Sequence, residues 1–174
     1  MKVRCDLQVN GGNRKLILVA QEHETLEHIA LRLCACVLFW DMDPSAELSS
    51  KHPALADQEF QPDCIALDDG GRIKLWVECG KVAMHKLDKL TRRYPDALLV
   101  ALKAAEYEGK RLRQDVEHQV DRHSLLEIWA WPKADFAVWS KAIKEDTYVV
   151  GEAQGRSLNL VINDVALATD LLKF

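Results

Sequence analysis

PDCIALDDGGRIKLWVECG, running from Pro62 to Gly80, is the stretch on which the fold turns. Pro62 to Leu67 is a short apolar run that predicts a strand, Asp68-Asp69-Gly70-Gly71 has turn composition, and Arg72 to Cys79 alternates. In the returning strand Ile73, Leu75, Val77 and Cys79 form one apolar face. Arg72, Lys74, Trp76 and Glu78 form the other, so Glu78 is expected to point away from the apolar side. One strand opens on Asp63 and its neighbour closes on Glu78, and a tight turn joins them. Such a pair brings two carboxylates to one end of a sheet, within reach of one hard divalent cation. Mg²⁺ takes oxygen ligands at about 2.0–2.1 Å, and a metal so placed activates water and neutralises charge on a phosphodiester. The plainer reading is a solvated Asp and Glu at strand ends.

Upstream, Val3, Cys5, Leu7 and Val9 alternate with polar residues, Asn10-Gly11-Gly12-Asn13 supplies turn residues, and Lys15 to Ala20 returns as the second strand of an N-terminal hairpin. From Glu24 onward Leu26, Ile29, Ala30, Leu33, Val37 and Trp40 recur at spacings of three and four, which predicts a helix of about four turns. Downstream of Gly80 the pattern predicts a helix over 82–93 and a strand over 96–102, apolar enough to be buried on both faces. A charged helix over about 103–120, a strand over 125–131 and a helix over about 134–144 follow. The chain then closes with a hairpin through 148–150 and 158–162 and a short C-terminal helix. This is α/β grammar: a mixed central sheet flanked by helices, with N-terminal and C-terminal β-hairpins, in a single domain over 1–174.

The chain has 174 residues, 48% hydrophobic and 29% charged, with 23 Lys+Arg against 27 Asp+Glu. That balance excludes a disordered or fibrous protein and a uniformly basic nucleic-acid binder. No apolar run approaches the roughly 18 residues of a spanning helix, and the start lacks a secretory apolar block, so no membrane partner and a cytoplasmic location are expected. Cys5, Cys34, Cys36, Cys64 and Cys79 have no C-x-x-C pair and read as buried reduced thiols. No G-x-S-x-G elbow is present, both Gly-Gly pairs lie between strands, and the six histidines include no H-x-x-x-H pair.

The helix HETLEHIALRLCACVLFW (His23 to Trp40), the strand pair Pro62 to Gly80 and the lysine-bearing helix after it resemble the bacterial YaeQ family. That family belongs structurally to the PD-(D/E)XK superfamily of restriction-endonuclease-like phosphodiesterases. Its core is a helix, a three-stranded meander, a second helix and a fourth strand. The resemblance implies a Mg²⁺-dependent phosphodiesterase or nuclease in which Asp63 and Glu78 bind the metal. Glu27 on the first helix matches the acidic residue that often completes the set, with Glu24 competing for that role. It also implies a lysine two residues after the Glu, where this chain has Gly80. Lys81, next in sequence, and Lys86 or Lys89 on the following helix are the candidates to replace it. The alternative is a catalytically degenerate nuclease-fold module that binds nucleic acid or a protein partner.

The charges are unevenly placed. Residues 41–69 hold eight acidic side chains against Lys51, whereas residues 81–113 hold nine basic against four acidic. A basic segment directly after Glu78 suits a polyanion track beside a metal site, through Lys81, Lys86, Lys89, Arg92 and Arg93. The alternative is a pair of solvated helix faces. Trp76, Trp129 and Trp131 read mostly as packing. Trp76, on the strand face of Glu78, is also a candidate base-stacking platform.

Overall fold

A computed structural model describes residues 1–174. The chain runs β1 (Lys2–Val9), β2 (Gly12–Val19), α1 (Leu26–Leu38), β3 (Cys64–Leu67), β4 (Ile73–Cys79), α2 (Met84–Arg93) and β5 (Leu98–Lys103). It continues through α3 (Glu106–Gln119), β6 (Leu126–Ala130), α4 (Lys133–Ala142), β7 (Asp146–Gln154), β8 (Ser157–Ile162), β9 (Val165–Asp170) and β10 (Leu172–Lys173).

The strands form two mixed five-stranded sheets, in the orders β2-β1-β7-β8-β9 and β10-β6-β5-β4-β3. The expected single central sheet with two separate terminal hairpins is therefore corrected. β1 pairs with β7 in parallel, Arg4 opposite Asp146 through Val9 opposite Gly151, which fuses both hairpins into a second sheet. Its inner face is the apolar half of β1, where Val3, Cys5, Leu7 and Val9 are buried.

Helix α1 lies between the sheets. Thr25 caps it by accepting the N–H of His28, and ten of its thirteen residues are buried. A helix apolar all round has to be covered on every side. The covering comes from the inner face of the first sheet, from α4, and from Cys64, Ala66, Leu75, Val77, Cys79, Val100 and Leu102 of the second sheet, all in one core cluster. The opposite face of the second sheet is also apolar. There Ile65, Trp76, Leu99, Ala101 and Ile128 pack under Leu87, Leu90, Leu112 and Val116 of α2 and α3. β5 is thus buried on both faces, as its composition predicted.

β4 follows the predicted alternation, but the face carrying Trp76 and Glu78 is as buried as the other. Trp76 is 1% exposed and stacks on Tyr94, so it packs the interior and offers no platform for a base. Two further expectations change. Lys103 is the last residue of β5 rather than the start of a helix, and it is 8% exposed. The short C-terminal helix is instead β9 and β10: Asn163 and Asp164 take φ of 45° and 69°, a two-residue turn whose hand suits a hairpin. Val165–Asp170 then folds back along β8 with Leu167 and Thr169 inward.

Candidate active site

The antiparallel pairing of β3 with β4 sets Cys64 opposite Val77. The N–H of Asp63, just before the strand, also bonds the carbonyl of Val77, at 3.1 Å. Asp63 thus shares Val77 with Cys64 as its partner and lies just outside β3, beside Glu78, close enough for its charge to act on that carboxyl.

The Asp63 carboxylate is fixed by two groups. Oδ2 accepts the Cys79 N–H at 2.7 Å, and Oδ1 lies 3.1 Å from Nε2 of His28, which projects from the first turn of α1. Nδ1 of the same ring lies 2.9 Å from Oε1 of Glu24. Glu24 is itself held by the Gln21 N–H and by Arg32, whose guanidinium also donates to Glu47 at 2.6 Å. His28 therefore stands between two carboxylates and titrates above its ordinary range. The contact with Asp63 does most of this, and the charges of Asp63 and Glu24 add to it against burial and the charge of Arg32.

Glu78 is 4% exposed. Its Oε1 accepts the Trp76 indole N–H at 2.6 Å, and Nζ of Lys86 lies 2.6 Å from Oε1 and 2.7 Å from Oε2. Lys86 reaches in from α2 and also donates to the Gln61 carbonyl at 3.0 Å. Burial pushes the Glu78 carboxyl above its ordinary range; the Lys86 charge pulls it back and the Asp63 charge adds to the rise.

The position two residues after Glu78 behaves unlike a strand residue. Gly80 takes φ +67°, and a Cβ there would sit 3.8 Å from Leu31 and 3.9 Å from His28, on the α1 side. A lysine at 80 would thus leave from the face opposite Glu78. The Gly80 carbonyl accepts from Nζ of Lys103, a residue of the neighbouring strand that sequence reasoning assigned to a helix. In the parallel register Glu78 faces Ala101, so Lys103 emerges on the Glu78 face one residue pair beyond. Its ammonium is desolvated, which lowers its pKa.

The residues named from the sequence divide cleanly. Glu78 and Lys86 pair directly, and Asp63 lies beside them with its carboxylate turned to the Cys79 N–H and His28. Glu27 is exposed in the first turn of α1; His28 in the same turn meets Asp63, and Glu24, just before the helix, meets His28. Lys81 is exposed and without an ion pair. Much of the basic helix is paired within the chain: Lys89 with Glu59 at 2.7 Å, and Arg92 with Asp88 at 3.0 Å and Asp121 at 2.5 Å. Arg93 lies over the Tyr94 ring. The acidic segment and the basic segment thus partly neutralise each other. His28 and Lys103 went unnoticed because neither belongs to a local motif. The one available signal was strand parity, which puts Lys103 on the same face as Ala101.

A cleft of about 670 Å³ opens onto the Asp63 side of the site, with Glu22, Glu24, Glu47, His23, His28 and Arg32 in its wall. No three side chains among His, Cys, Asp and Glu converge closely enough to hold a metal ion by themselves. No helix is long and apolar enough to cross a membrane.

The family model described as YaeQ protein matches residues 11–169. The fold is similar to that of the YaeQ protein from Xanthomonas axonopodis pv. citri, with a TM-score of 0.76 and 17% identity over 99% of this chain and 96% of that one. It is similar also to the YaeQ protein from Pseudomonas syringae, with a TM-score of 0.74 and 14% identity over 99% and 94% of the two chains. No curated protein matches. At such identities the likeness to the solved structures carries the fold alone.

Proposed function

The chain belongs to the YaeQ family, and we propose that it is a divalent-metal-dependent phosphodiesterase, a nuclease of the PD-(D/E)XK type, with its lysine supplied by α2. The observation that carries this reading is the Glu78–Lys86 pair at one end of the β3–β4 pair, with Asp63 beside it and its charge acting on Glu78. The order of elements adds support. α1 is followed by an antiparallel bridge from Ser45 to Ile65, then β3, β4, α2 and the parallel strand β5, so the bridge stands where a three-stranded meander would have its first strand.

The donor set suits Mg²⁺ in one respect. That ion is commonly held by one or two carboxylates, with water and substrate phosphate oxygens completing an octahedron. Asp63 and Glu78 would be those two, and no all-protein cage is offered. A cation bound there would lower the pKa of a water molecule and offset charge on the phosphodiester. The chain's own groups have separate tasks. The Cys79 N–H and the Trp76 indole aim the two carboxylates, and Lys86 holds a positive charge at Glu78. With Glu78 holding a cation, the Lys86 ammonium would be available to position a water molecule or to meet the phosphate. Of the five basic residues named for a polyanion, Lys81 and Arg93 have no carboxylate partner and are the ones left for a nucleic-acid backbone.

A second reading rests on Glu78 being 4% exposed with both oxygens engaged: a nuclease fold whose carboxylate–lysine pair has become structural, leaving a binding module. One experiment separates the two. Mg²⁺ or Mn²⁺ is titrated calorimetrically into the wild type and Glu78→Gln, and both are assayed on single- and double-stranded oligonucleotides. Metal-dependent cleavage that is lost in Glu78→Gln supports the phosphodiesterase. Binding of oligonucleotide with neither metal dependence nor cleavage supports the module.

A further inference from the structure

His28 stands apart from the carboxylate–lysine trio. Its Nε2 atom is buried without an in-line hydrogen-bond acceptor, although Oδ1 of Asp63 is 3.1 Å away. Two donor atoms on one metal, each about 2.0–2.1 Å from it and subtending 90–109°, lie about 2.9–3.4 Å apart, and the His28–Asp63 separation falls inside that span. On the far side of the ring, Nδ1 is 2.9 Å from Glu24. A carboxylate behind one imidazole nitrogen is the usual support of a histidine that ligates through the other. Glu24 is 4% exposed at its side chain and anchored by Arg32, so the support is rigid. Arg32 is the opposing charge, but its guanidinium is already spent on Glu24 and Glu47. The pair lines the cleft into which Glu22, Glu47 and His23 also project, a wall richer in carboxylates than in cations.

We propose that His28 Nε2 and Asp63 Oδ1 are adjacent ligands of a divalent transition-metal site, with Glu24 orienting the imidazole and water filling the remaining positions. A mixed imidazole and carboxylate set favours ions of the Mn²⁺ or Zn²⁺ kind over Mg²⁺. The site shares Asp63 with the phosphodiesterase reading, but needs neither Glu78 nor phosphodiester chemistry.

The test uses Mn²⁺ and the full chain near pH 8. Binding is followed by loss of the free Mn²⁺ signal in electron paramagnetic resonance, and directly coordinated nitrogen by electron spin echo modulation. The wild type is expected to bind one Mn²⁺ per chain with a ¹⁴N modulation, which changes to the ¹⁵N pattern when histidine is ¹⁵N-labelled. About a hundredfold excess of Mg²⁺ leaves the signal in place. Neither of these readings needs a variant to fold. His28→Gln loses the nitrogen modulation and binds at least about tenfold more weakly. No Mn²⁺ binding, no nitrogen modulation, or a modulation that persists in His28→Gln overturns the site. Glu78-dependent cleavage without nitrogen modulation overturns this site and leaves the phosphodiesterase standing. Nitrogen-ligated Mn²⁺ without Glu78-dependent cleavage does the reverse.

Discussion

At Glu78 a buried carboxylate is held between an indole N–H and an ammonium. Its carboxyl is raised, so the folded chain holds that proton more tightly than the unfolded one, and stability falls as pH climbs from the ordinary carboxyl value through the raised one. Taking away Lys86 leaves the charge uncompensated and widens that window. Lys86→Met is expected to lose about 3 kcal/mol near pH 8, the low end for breaking a buried pair since Trp76 still donates. The loss shrinks near pH 5, where a proton replaces the lysine; urea midpoints at the two pH values measure it. His28 has the opposite sign. Its raised pKa gives stability that is full below the ordinary value of 6.5 and lost as pH rises through the raised value. His28→Gln in chelator-treated protein is therefore expected to be most destabilised below the ordinary histidine value and to approach the wild type as pH rises well above it, read from urea midpoints across pH. Gly80→Lys puts a lysine two residues after Glu78 at a left-handed position, which costs an L residue about 1–2 kcal/mol. It is expected to lower stability while giving no gain in cleavage, because the new side chain leaves on the α1 side.

Elements whose signal is local were legible in the sequence. The alternation of β1 and β4, the Asn10–Gly11 turn with φ of 51° and 77°, and the helical spacing of α1 needed no tertiary information. The β3–β4 hairpin was legible as well, although its register shifts by one residue next to the turn, between Ala66 and Leu67. What stayed hidden depends on partners distant in sequence. The parallel pairing of β1 with β7 joins segments about 140 residues apart, and the Lys103 bond to Gly80 depends on β5 lying beside β4. β9 was misread because Val165-Ala166-Leu167-Ala168 carries good helix formers, and the Asn163–Asp164 turn overrode that propensity. The join between β7 and β8 offers a sharp test. Gly151 takes φ +143°, and a Cβ there would lie 2.2 Å from the Asn159 carbonyl oxygen. Gly151→Ala must push the strands apart and is expected to cost about 2–4 kcal/mol, read from the urea midpoint.

Across the whole molecule, α1 is the shared wall of both sheets, and one apolar cluster runs from Val3 and Val149 through α1 to Leu75 and Val100. A core continuous across both sheets predicts unfolding as one unit. Tryptophan fluorescence and far-ultraviolet circular dichroism are expected to give coincident urea transitions, and two separated transitions would show that the sheets unfold independently. The acidic segment and the basic helix after Glu78 meet through Lys89–Glu59, and Lys86 of that helix is taken by Glu78, so the regional charge imbalance visible in sequence is partly internal. What it leaves is a buried carboxylate–lysine pair beside Asp63, and the most direct measurement is oligonucleotide cleavage in Mg²⁺ or Mn²⁺ by the wild type, Asp63→Asn, Glu78→Gln and Lys86→Met. The prediction is cleavage by the wild type and a loss of about a hundredfold or more in each variant, as for removal of a group acting in the transition state. A wild type that does not cleave, or cleavage indifferent to all three substitutions, contradicts it.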